Sequence, residues 1–75
     1  MSRPMARATL LKKIRVMYPM LSERAKESIR FLYFGGDTMM PDDVLLLEIS
    51  DLRIDKLRRL EFQMKNTIRN EVKRL

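Results

Sequence analysis

LSERAKESIRFLYFGG (residues 21–36), DTMMPDDVLLLEIS (residues 37–50) and DLRIDKL (residues 51–57) follow one another without a break, and their reading decides the fold. In the first stretch, Ser22 can accept a hydrogen bond from a free backbone N–H of a first helical turn, and Glu23 complements the positive end of the helix dipole. Ala25, Ile29, Leu32 and Tyr33 recur at the three-to-four-residue spacing of one helical face, and Gly35 with Gly36 permits the left-handed conformation that closes a helix. This predicts a helix over 22–34. In the second stretch Pro41 suits a first turn, where its missing N–H would be unpaired anyway, and Asp42 and Asp43 favour the same dipole end. A short, buried helix over 42–48 is predicted. Ser50 then offers a second cap, and residues 51–75 contain neither Gly nor Pro, so a last helix is predicted to run from there to the end. Short helix, brief turn and capped basic helix make a helix-turn-helix-like order, in which the second member can lie in the DNA major groove.

Leu21, Glu23, Arg24, Ile29, Tyr33, Phe34, Gly36 and Thr38 fall in the order L-x-E-R-x-x-x-x-I-x-x-x-Y-F-x-G-x-T. With one extra residue allowed, Leu47, Ile49, Ser50, Arg53, Ile54 and Leu57 continue it as L-x-I-S-x-x-R-V-x-x-I. Over about half the chain this resembles the fourth conserved region of bacterial sigma factors. The departures are Glu48, where that family usually has a small residue, and the extra residue in a preceding helix that carries Pro41, Asp42 and Asp43. The resemblance implies a helical domain that reads DNA through its last helix and docks on RNA polymerase.

Outside that half, residues 1–8 are expected to form a flexible basic arm with Arg3 and Arg7, and Thr9 is expected to cap a helix holding Leu10, Leu11, Ile14 and Met17 that Pro19 ends. Four helices over 9–18, 22–34, 42–48 and 51–75 place the chain in the all-α class. It is expected to be a small helical bundle, one domain over 1–75, with its helical core in 9–57 and a long C-terminal helix. The apolar run from Val44 to Ile49 is the one segment whose composition also suits a strand. Phe31, Tyr33 and Phe34 are read as core.

On the last helix Leu57, Leu60, Met64, Ile68, Val72 and Leu75 form one apolar stripe. A fully helical 51–75 would be roughly 37 Å long at 1.5 Å per residue, more than so small a bundle can cover. The distal half is therefore expected to fray or to pack on a second copy or a partner. Met39, Met40, Leu45, Met64, Ile68 and Val72 are the candidate partner-binding residues, the methionines because they adapt to irregular contacts. A second row, Lys56, Arg59, Gln63, Asn66, Asn70 and Lys73, carries the residue types that neutralise phosphate and pair with base edges. Arg3, Arg7, Arg53, Lys56, Arg58, Arg59 and Gln63 are the candidate DNA-binding residues. Asp51 and Asp55 oppose them unless Asp51 only serves the dipole end or a carboxylate accepts from cytosine.

The absence of Cys and His among 75 residues removes thiol nucleophiles, imidazole bases, disulfides and the usual zinc ligands. Asp37, Asp42 and Asp43 could hold a hard cation, but no base, nucleophile or phosphate-cradling loop accompanies them, so no enzyme and no cofactor are expected. No segment reads as a signal peptide or membrane span, and a cytoplasmic location is the expectation. The net charge of +6 lies at the two ends: residues 21–50 carry three basic groups against six acidic ones. Basic ends point to a polyanion. The functional expectation is a small transcription-associated protein contacting DNA, RNA polymerase or both. The alternative is a protein-interaction module acting as homodimer or hetero-complex without DNA.

Overall fold

The computed structural model describes residues 6–35 and 40–73. Among these the chain is all-α: α1 (Arg7–Met17), a 3-10 turn (Tyr18–Met20), α2 (Glu23–Phe34), α3 (Asp42–Ser50) and α4 (Ile54–Lys73), with no strand. The ambiguous run from Val44 to Ile49 is helical. No helix among the described residues is long and apolar enough to cross a membrane.

Each boundary has a local cause. Ser22 caps α2 by accepting from the Ala25 N–H at 3.2 Å, and Gly35 closes it at φ 72°, where a Cβ would be strained. Helix α1 starts two residues before Thr9, with Ala6 in the cap position and no side-chain cap. Arg7 and Ala8 are strong helix formers and carry the helix upstream of the expected cap. Helix α3 runs to Ser50 rather than stopping at Glu48, because Leu45 and Ile49, one turn apart, are both fully buried. Ser50 consequently caps nothing in α4: its hydroxyl donates back to the Leu47 carbonyl inside α3. The first bond of α4 runs from the Leu57 N–H to the Arg53 carbonyl at 2.9 Å, leaving residues 51–53 as the turn between the helices.

The core is built from Leu10 and Ile14 of α1, Tyr18 and Leu21, Ile29 of α2, Leu45 and Ile49 of α3, and Leu57, Leu60 and Met64 of α4. Helix α1 lies mainly on α4. Helix α2 runs antiparallel to α4, since Ser22 at its start donates to Glu71 (2.8 Å) while Tyr33 at its end donates to Gln63 (2.8 Å). At 20 residues α4 is about 30 Å long. Cover for its distal half comes from within the chain, contrary to the length argument: Ile68 packs on the core and Glu71 is held by Ser22, while Val72 alone of the described stripe is exposed. Leu75 lies outside the described residues.

Candidate nucleic-acid interface

The expected DNA-binding residues separate into two groups. Lys56, Arg58 and Arg59 are exposed in the first two turns of α4, immediately after the α3–α4 turn, and none forms an ion pair among the described residues. Arg53 precedes them, its Nε 4.0 Å from Asp55 Oδ1 across two well-exposed side chains, a pairing that contributes little in water. Asp55 itself sits in the first turn, where it serves the helix dipole. From Arg53 in the turn to Arg69 in α4 the chain carries six basic groups against two acidic ones, and one of the acids, Glu61, is buried beside Lys65 at 3.8 Å. The outward face is thus more basic than its composition.

Gln63 and Arg7 are placed differently. Gln63 is half-buried and its Oε1 accepts from the Tyr33 hydroxyl, which leaves its amide N–H groups as the available donors. Burial raises the Tyr33 hydroxyl above its ordinary pKa, with the nearby Arg59 cation opposing that shift. Arg7, expected in a loose arm, is the first residue of α1 and its guanidinium donates to the Ser50 carbonyl at the end of α3. It ties two helices together and satisfies one of the carbonyls a helix end leaves free. Arg3 lies outside the described residues.

The expected partner-binding set does not form one surface. Leu45 and Met64 are fully buried in the chain's own core, Met40 and Ile68 pack against that core, Val72 is exposed and Met39 lies outside the described residues. The large apolar side chains that do face solvent include Phe31, Leu32 and Phe62, of which Phe31 was expected in the core. Phe62 falls outside the Leu57–Leu60–Met64 stripe, so its exposure was legible in the periodicity; that of Leu32 was not, because it shares a spacing with Ile29.

The acidic middle does not simply face water. Asp42 Oδ1 accepts from Arg30 at 2.7 Å and from the Tyr18 hydroxyl at 3.2 Å, and Oδ2 lies 3.8 Å from Lys26 Nζ. Arg30 also donates to the Met40 carbonyl, and Lys26 Nζ stands 5.2 Å from the Tyr18 ring centroid. This cluster ties the start of α3 to α2 and to the 3-10 turn, and so sets where the α3–α4 unit sits. The Tyr18 hydroxyl is raised above its ordinary pKa by burial first and the Asp42 carboxylate second, with Arg30 opposing. Among the described residues no group of three or more acidic side chains is arranged to hold a metal ion.

No protein-family model, no curated protein and no solved structure matches this chain.

Proposed function

We infer that the chain is a small transcription-associated protein that binds DNA through the outward face of α4, with α3 and the turn at 51–53 orienting that helix. The observation that carries this reading is the exposure of Lys56, Arg58 and Arg59, unpaired among the described residues, in the two turns that follow the turn. Each such cation near a backbone phosphate releases a condensed counterion, which drives binding regardless of sequence. Arg59 and the free amide donors of Gln63 then have the chemistry to read acceptors on base edges. The resemblance to the fourth sigma-factor region supports the same reading and adds RNA polymerase as a second partner.

Titration of a fluorescent duplex at two salt concentrations tests it. Lys56→Ala and Arg58→Ala should each lower the slope of log K against log salt by about 0.9 and weaken all sequences alike. Arg59→Ala should cost about 1–3 kcal/mol on the preferred sequence only. A dissociation constant weaker than about 0.1 mM at low salt, below ordinary non-specific affinity, would leave protein interaction as the better account.

A further inference from the structure

Three adjoining hollows of about 530, 320 and 190 Å³, sharing lining residues, form one open groove between α2 and α4, which side-chain hydrogen bonds bridge at Ser22–Glu71 and Tyr33–Gln63. Ala25, Ser28 and Thr67 supply small side chains that permit close backbone approach. Leu32 and Phe62, 63% and 59% exposed, stand in the same middle section. Two large apolar side chains sharing one concave face are a different matter from scattered surface hydrophobics. Arg24 lies at one end of the groove and Lys56 with Arg59 at the other, and none of the three has an ion pair among the described residues. Glu71 is the single acid in the lining, at the Arg24 end; the hydrogen bond from Ser22 does not cancel its charge, so the lining carries three cations against one carboxylate, with the cationic excess strongest at Lys56 and Arg59.

We propose that this groove docks an amphipathic helix of another protein, apolar at its centre and acidic at both ends. From Lys56 to Asn70 the groove follows fourteen steps of α4, about 21 Å, the length of a helix of about four turns. The apolar centre meets Leu32 and Phe62, and the acidic ends meet cations at both limits. A second copy fits poorly. The chain carries +6, and its acidic apolar helix, α3, has nine residues, about 13 Å, and would leave a third of the groove uncovered. The groove shares Lys56, Arg59 and Gln63 with the DNA reading, so an acidic helix bound there would compete with a duplex.

The test uses the full chain, isotopically labelled, and a sixteen-residue helical probe peptide with Leu and Phe in the middle and Glu at both ends. Saturable one-to-one binding is expected, with amide shifts concentrated at Ala25, Ser28 and Thr67. Leu32→Asp and Phe62→Asp should each weaken it about tenfold or more, and replacing the peptide's Glu by Lys should do the same. Both protein positions are exposed, and circular dichroism should show the variants folded. Absent saturation, equal binding of the Lys peptide, shifts elsewhere, or unaffected binding by the two variants overturns the proposal. So does a wild-type dimer in sedimentation that Leu32→Asp converts to monomer, which would assign the groove to a second copy. Retained duplex binding alongside any of these failures leaves the DNA reading intact.

Discussion

Arg30 is the residue on which the placement of α3 turns. It is buried, donates to Asp42 and to the Met40 carbonyl, and stands one turn from Lys26, which faces the same carboxylate. Hydrogen bonds from a charged donor contribute more than neutral ones, and truncating the donor leaves a carbonyl and a carboxylate short of a partner. Arg30→Ala should therefore cost about 1.5–3 kcal/mol in urea unfolding, and less in an Asp42→Ala background. Arg30→Lys should recover only part, because an ammonium cannot bridge both acceptors as the planar fork does. The two tyrosines give a pH test. Both hydroxyls are held above the ordinary value of 10.0, so between that pH and the folded-state pKa the folded chain keeps protons that the unfolded chain releases. Their contribution is complete below pH 10.0 and is lost as pH rises through the folded pKa. Unfolding free energy should fall with alkaline pH in that window, and Tyr18→Phe should flatten the decline; a pH-independent stability there would contradict the burial of both groups.

At the scale of elements, the α3–α4 unit is held by groups that a linear reading assigned elsewhere. Arg7 donates to the Ser50 carbonyl, so Arg7→Ala should lower stability by about 0.5–1.5 kcal/mol while leaving the salt dependence of any duplex binding unchanged. A slope reduced by about 0.9 would instead restore Arg7 to the phosphate-contacting set. Ser50→Ala should change stability by less than about 0.5 kcal/mol, because the hydroxyl bonds within α3 and α4 starts only at Ile54, beyond its reach as a cap. A loss of about 1 kcal/mol or more would mean that it caps α4 after all.

On the whole molecule, the question of what covers α4 has a measurable form. Ile68 packs on the core and Val72 does not, although both belong to one stripe. Ile68→Ala should cost about 1–2 kcal/mol, below the figure for a fully buried site, whereas Val72→Asp should be neutral to within about 0.5 kcal/mol in chemical denaturation. Comparable large losses at both positions, appearing only at high protein concentration, would point to an intermolecular helix pair.

Local signals alone determined a good part of this protein. Ser22 and Gly35 bound α2 where their chemistry requires, and Leu57, Leu60 and Met64 announce the buried face of α4 through spacing. The cations after the turn were legible as exposed because they fall off that stripe. Such features depend on neighbours within one turn, which the chain order already supplies. Tertiary structure decided the rest. It moved Ser50 into α3, since burying Ile49 outweighed an available cap. It gathered Tyr18, Lys26 and Arg30 around Asp42 from separate elements, and committed Arg7 to a carbonyl forty-three residues away. It also put Leu32 beside Phe62 in one groove, although Leu32 shares its helical spacing with the buried Ile29. Spacing reports which side chains share a face; which face finds a neighbour is set by how the helices pack, and a 75-residue chain has too few helices to cover every apolar one.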